Sequence, residues 1–158
     1  LRDQLLLQHS SESNLAQSIL KLLEYSNNFI ANQILLVMGA ENNGPPATME
    51  KGLTVLRRYC HNTLNAKYLK IVEASGISRK NRITAQDMLE ILNRFSPYYG
   101  LMRHEGRQFY KTGHLKGIRT RAGYIESRNG GFYRFVVMLN TPGKATDRIM
   151  QILEEELR

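Results

Sequence analysis

Gln108-Phe109-Tyr110-Lys111-Thr112-Gly113-His114-Leu115 and the two runs after it, Ile118 to Glu126 and Phe132 to Asn140, decide how this chain folds. All three are rich in β-branched and aromatic residues and read as strands. Asn129-Gly130, between the second and third, is the strongest short hairpin signal. The strands are therefore expected to be antiparallel neighbours.

Upstream of them the pattern is helical. Leu15, Ile19, Leu22 and Leu23 have helical spacing, with Ser11 or Ser13 expected as N-cap. Tyr25-Ser26-Asn27-Asn28 should end that helix, because Ser and Asn favour caps and turns. A second helix is expected from Asn28 to Met38, stopped by Gly39. Asn43-Gly44-Pro45-Pro46 is a loop, and Thr48 opens a third helix carrying Leu53, Leu56 and Cys60. Tyr68 to Val72 reads as a short strand and Ser75-Gly76-Ile77-Ser78 as a turn. Thr84-Ala85-Gln86-Asp87 resembles a capping box before Met88, Leu89, Leu92 and Phe95, and Ser96-Pro97 closes that helix. After the strands, Thr141 as cap and Pro142 at the first helical position predict a last helix with Ile149, Ile152, Leu153 and Leu157 on one stripe. The expected class is α+β: four helices, a three-stranded antiparallel sheet and a C-terminal helix.

Composition bounds the function. The 158 residues make one ordinary domain, and the balance of 42% apolar and 23% charged excludes disorder and a disulfide scaffold. Cys60 stands alone, so no intramolecular disulfide forms. The longest mostly apolar stretch, Phe29 to Ala40, is too short to span a bilayer. The net charge of +8 favours an anionic partner. Arg119, Arg121, Arg128 and Arg134 cluster in the last third, without a run of five like charges. His9, His61, His104 and His114 lack ligand spacing, so no metal site is expected, and Tyr98 and Tyr99 read as packing residues. The chain opens on Leu1 with no leader pattern, which predicts a processed product or a piece of something longer.

Two strings carry chemistry. Composition alone expects about 0.03 copies of Lys111-Thr112-Gly113 in such a chain. On a strand, residues i and i+2 share a face. Lys111 can then aim its ammonium into a cleft while Gly113 keeps that face open for a substrate backbone. Ser26-Asn27-Asn28, at the join of two helices, can set a hydroxyl and an amide together if the join is extended. Taken alone, Ser26 would read as a helix cap.

Ser-x-Asn followed by Lys-Thr-Gly belongs to the signature of penicillin-binding proteins and β-lactamases. Glu73-Ala74-Ser75-Gly76-Ile77-Ser78-Arg79-Lys80-Asn81 adds to it. So do Lys111 to Gly117 and Ala122-Gly123-Tyr124-Ile125. Together they resemble the class C low-molecular-mass penicillin-binding proteins, which are serine-type D-Ala-D-Ala carboxypeptidases and endopeptidases. The resemblance runs from about Ser10 to the final helix and matches the C-terminal part of that family's catalytic domain. Three departures stand out. Ala31 is followed by Asn32 instead of Glu, Glu73-Ala74 replaces Asp-Gly, and the stretch from Phe95 to Tyr110 is short.

The resemblance implies the β-lactamase/DD-peptidase-like fold, with peptidoglycan stem peptides and β-lactams as ligands, no cofactor, and a periplasmic or extracytoplasmic location. It implies that Ser26 relays protons to the leaving group and that Asn28 bonds the substrate amide or the catalytic lysine. Lys111 supplies positive potential, Thr112 binds the substrate carboxylate, and the His114 N–H forms one arm of the oxyanion hole beside Gly113. The family's nucleophile, Ser-x-x-Lys, has one match, Ser18-Ile19-Leu20-Lys21, which reads as a serine on an ordinary amphipathic helix. The expectation is therefore that residues 1–158 lack the N-terminal portion carrying the nucleophile, and that the isolated chain is inactive. That portion would also supply two strands of a five-stranded sheet. Without it the strand from Phe132 to Asn140 has an open edge, which predicts a homodimer or aggregation through it. The rival reading is a non-catalytic module binding peptidoglycan or, through its basic charge, nucleic acid. No RNA-binding signature is present, so nucleic acid is not the expected partner.

Overall fold

The computed structural model describes residue 8 and residues 10–157. Helix α1 (Leu15–Tyr25) is capped by Asn14, not by Ser11 or Ser13. The Asn14 side chain accepts from the Gln17 N–H and the Gln17 side chain from the Asn14 N–H, both at 2.9 Å. A reciprocal box satisfies two amides where a lone serine satisfies one. Ser11 and Ser13 instead bond each other.

Helix α2 (Asn28–Asn43) runs through Gly39, the expected stop, and ends at Gly44, whose φ is +72°. Gly39 serves packing. A Cβ there would lie 2.6 Å from the backbone N of Gly52 in α3 (Met49–Asn62), and one on Gly52 would strike the Leu35 carbonyl. The two helices thus touch backbone to backbone, which offsets the roughly 1 kcal/mol that a mid-helix glycine costs. Thr48 caps α3 as expected. Helix α4 (Ala85–Phe95) opens on the expected Thr84–Asp87 box, and a 3-10 turn, Ser96–Leu101, follows it. Cys60, Leu64 and Ala66 form a small core with Leu56, Leu69, Ile71 and Ile91. Burial raises the Cys60 thiol pKa, so it is an inert packing group.

Of the strand expected over Tyr68 to Val72, only Lys70 pairs, in an isolated bridge with Arg82. The Asn81 side chain takes the Val72 N–H at 2.9 Å and stops the ladder there.

The sheet contains the three expected strands, β2 (Gln108–Leu115), β3 (Ile118–Glu126) and β4 (Phe132–Leu139), preceded by a short β1 (Arg103–Glu105). The order is β1-β2-β3-β4, antiparallel throughout, with Lys111 opposite Ala122 and Ala122 opposite Val136. Arg103-His104-Glu105 has neither alternation nor a β-branched residue. It is recruited by the Gly106 turn and by stacking of His104 on Phe109, 4.2 Å between ring centroids. β4 has no strand on its outer side among the described residues, and its Phe132 and Tyr133 are exposed.

Helix α5 (Asp147–Glu156) starts five residues later than Thr141-Pro142 suggested. Gly143, at φ +74°, breaks the run, and Pro142 faces Gly117 in the β2–β3 turn. α5 covers one face of the sheet, where Met150 packs with Tyr110, Ile125, Phe135 and Val137. α4 lies on the other face, where the Tyr124 hydroxyl donates to the Leu92 carbonyl and Arg134 to Asn93 at 2.8 Å. Burial pushes the Tyr124 pKa up to about 12, against a smaller opposing effect of Arg134.

Candidate active site

The join between α1 and α2 is tight, not extended. Ser26 terminates α1 in the left-handed region (φ 53°, ψ 46°), with its N–H on the Leu22 carbonyl. A serine there costs on the order of 1 kcal/mol that glycine would not. Asn27, between the two site candidates, takes the capping role and accepts from the Ile30 N–H at 3.1 Å. Asn28 opens α2 and is exposed. The Ser26 backbone thus closes one helix, while its hydroxyl is left for a partner from elsewhere.

That partner is Lys111. Its ammonium donates to the Ser26 hydroxyl, 85 residues away in sequence, and to its own strand at the Thr112 carbonyl, 2.8 Å. Lys111 is half-buried, and no carboxylate stands within ion-pair distance among the described residues; the two ion pairs there are Arg103–Glu105 and Arg121–Asp147. Desolvation holds the Lys111 pKa below the usual lysine value. A cation without a counter-ion, bonded to a hydroxyl, lowers the cost of deprotonating that hydroxyl and attracts an anionic ligand.

Strand alternation puts Gly113 on the Lys111 face, with Thr112 and His114 on the other, both exposed. The space at Gly113 is not empty as expected. A Cβ there would strike the Thr120 hydroxyl directly across the ladder, so the missing side chain accommodates Thr120. Ser18, the one serine of a Ser-x-x-Lys string, lies within α1 and donates to the Asn14 carbonyl at 3.1 Å, as a helix serine does.

The loop over residues 73–81 borders the site through contacts that the sequence alone did not disclose. The Glu73 carboxylate accepts from the Ser75 N–H (2.6 Å) and hydroxyl, the Ser78 N–H (3.0 Å) and the Asn81 amide (2.5 Å). Burial raises its pKa, but these donors outweigh burial and hold it below the usual carboxylate value. Arg79 then reaches the Lys116 carbonyl at the tip of the β2–β3 hairpin. Arg57 of α3 grips the Ile71 carbonyl with two nitrogens, at 3.0 and 2.6 Å. The loop itself was expected from the sequence, and a carboxylate followed by serines at two and five positions is the signal that could have disclosed these contacts.

Two clefts, of about 540 and 370 Å³, flank α4, the first beside Thr63 to Asn65 and the second beside Phe132 to Arg134 of β4. Neither touches Ser26 or Lys111, which sit on an open face. The Asn32 side-chain oxygen is buried without a hydrogen-bond partner among the described residues.

The arrangement defines an α+β domain of the DD-peptidase-like class, and comparison with known proteins bears this out. Penicillin binding protein 4 (dacB) from Haemophilus influenzae superposes with a TM-score of 0.75 at 17% identity, covering 88% of this chain and 38% of that one. The predatory endopeptidase Bd0816 from Bdellovibrio bacteriovorus, solved with immunity protein Bd3460, gives 0.63 at 21% identity, covering 89% and 41%. The penicillin G-acylated endopeptidase Bd3459 of the same organism gives 0.59 at 18%, covering 89% and 43%. These likenesses establish the fold, and the chain spans about 40% of the length of each structure. No curated protein matches. Residues 2–98 match the model of the D-Ala-D-Ala carboxypeptidase 3 (S13) family. The chain belongs to that family.

Proposed function

We propose that this chain is the C-terminal part of a serine-type D-Ala-D-Ala carboxypeptidase or endopeptidase that acts on peptidoglycan stem peptides outside the cytoplasmic membrane. The observation that carries the reading is the Lys111–Ser26 hydrogen bond, which joins the Lys-Thr-Gly strand to the Ser-x-Asn junction. An upstream portion of the same domain supplies the nucleophilic serine and its lysine. That serine attacks the D-Ala-D-Ala carbonyl, and its proton passes to the lysine. Ser26 relays a proton to the departing amine of the terminal D-Ala, and water later cleaves the acyl-enzyme. Lys111 supplies positive potential for the substrate carboxylate, which Thr112 binds from the strand edge, Asn28 bonds the substrate amide or the catalytic lysine, and the His114 N–H meets the developing oxyanion.

Three further features support an upstream portion. α1 has no buried residue despite its apolar stripe, Phe29 and Val37 of α2 are exposed, and β4 is an uncovered edge. No helix among the described residues is long and apolar enough to cross a membrane. In the isolated chain further copies take the β4 edge, so the chain dimerises or aggregates.

The test is intact mass after incubation with excess penicillin. The chain alone should gain no adduct. The chain joined to an upstream segment containing Ser-x-x-Lys should gain one penicillin on that serine and lose the reaction in Lys111→Met. An adduct on Ser18 or Ser26 in the chain alone would overturn the assignment.

A further inference from the structure

Residues 57–82 hold seven Lys and Arg and a single carboxylate, Glu73. That carboxylate is spent on Ser75, Ser78 and Asn81 and pairs with no cation. Arg57 is spent on the Ile71 carbonyl. Arg58, Lys67, Lys70, Arg79, Lys80 and Arg82 are exposed, and none forms an ion pair among the described residues.

Lys70 and Arg82 are more than neighbours on a surface. Their backbones exchange both hydrogen bonds, at 2.8 and 2.9 Å, so they stand directly opposite each other across the bridge. Side chains in such a pair leave the same face about 5 Å apart, and like charges there oppose folding. The fold therefore holds two cations together at a cost that a ligand anion would remove. Tyr68, two residues before Lys70, is 74% exposed. The patch is continuous with the candidate active site, because Arg79 grips the Lys116 carbonyl at the end of the hairpin that carries Lys111 and His114.

We propose that this surface is a second binding site for the peptidoglycan polymer. It holds the carboxylates of neighbouring stem peptides on Lys70, Arg82 and the other cations of residues 57–82 while one stem occupies the Ser26–Lys111 site. The inference rests on the reading of the chain as a peptidoglycan peptidase and adds where the polymer lies beyond the Ser26–Lys111 site. Continuity with the hairpin favours one polymer spanning both regions over a separate lipid surface.

Co-sedimentation of the chain with purified sacculi tests this. Binding should fall about tenfold between roughly 50 and 300 mM salt, as screening shortens the reach of the charges. It should fall as far at low salt in Lys70→Glu/Arg82→Glu, and again in Arg58→Glu/Lys67→Glu, which leaves the bridge intact. Sacculi whose carboxylates are chemically amidated should bind the parent chain no better than untreated sacculi bind these variants. Vesicles rich in phosphatidylglycerol should capture little. Undiminished binding of both variants, equal binding of amidated sacculi, or stronger capture by the vesicles would each overturn the proposal. If the chain joined to its upstream segment fails to be acylated by penicillin while patch-dependent binding persists, the peptidase reading falls and the polymer-binding surface stands.

Discussion

The two faces of the sheet are built on different principles. Toward α5, Tyr110, Ile125, Phe135, Val137 and Met150 close over one another as an apolar core complete within the chain. Toward the helices, directed bonds do more of the work. They run from Tyr124 to Leu92, from Arg134 to Asn93 and from Lys111 to Ser26. An aromatic group of Tyr99, Phe109 and Phe132 lies at one end of that face, and an open polar region lies at the other. One face supplies stability and the other geometry. The candidate site sits on the face that the chain does not seal.

The sharpest way to break this contrast is in the core. Ile125→Ala and Met150→Ala should each cost about 2–5 kcal/mol in urea unfolding, since both side chains are fully enclosed. On the opposite face Tyr124→Phe should cost only about 1 kcal/mol, the net worth of one hydrogen bond.

Acid should loosen the loop over residues 73–81. The folded Glu73 pKa lies below its unfolded value. Its contribution is therefore present above the ordinary carboxylate pKa and lost as pH falls through the folded one. Amide exchange at Ser75 and Ser78 should quicken over that acid window. In Glu73→Gln it should be fast already at neutral pH and insensitive to acid.

The smallest expected change in stability is at Lys111. Its lowered pKa means that the folded chain binds fewer protons than the unfolded one at alkaline pH, so stability rises as pH passes through the folded value. Lys111→Met should abolish that rise and leave the neutral-pH melting temperature equal or slightly higher. A marked loss of stability would mean that Lys111 holds the fold together.

Much of this was legible because it is local. Richness in β-branched and aromatic residues placed β2, β3 and β4 with their observed bounds to within a residue, and the Thr84–Asp87 box started α4 where expected. Errors arose where tertiary contact overrode a local signal. Gly39 looks like a stop and is a contact point, Thr141-Pro142 looks like a helix start and is a turn, and β1 exists only because β2 is beside it. The candidate site divides in the same way. Ser26 and Lys111 stood out as members of short strings, and the fold bonds them. Arg79 and Lys116 also stand in quoted strings, but nothing in either string pairs them, and only the folded chain makes them partners. Gly113 was rightly singled out, but the neighbour that needs its missing side chain is Thr120.

The crossing of Gly39 over Gly52 bears on motion as well as packing. With no side chain between the backbones, no rotamer can absorb a slip of one helix along the other, so α2 and α3 travel together as one lever. Ser26 and Asn28 sit at one end of that lever and Arg57, holding the loop over residues 73–81 at Ile71, on its other arm. The loop over residues 73–81 and the Ser26 junction are therefore expected to be coupled through the paired helices and not through side chains alone.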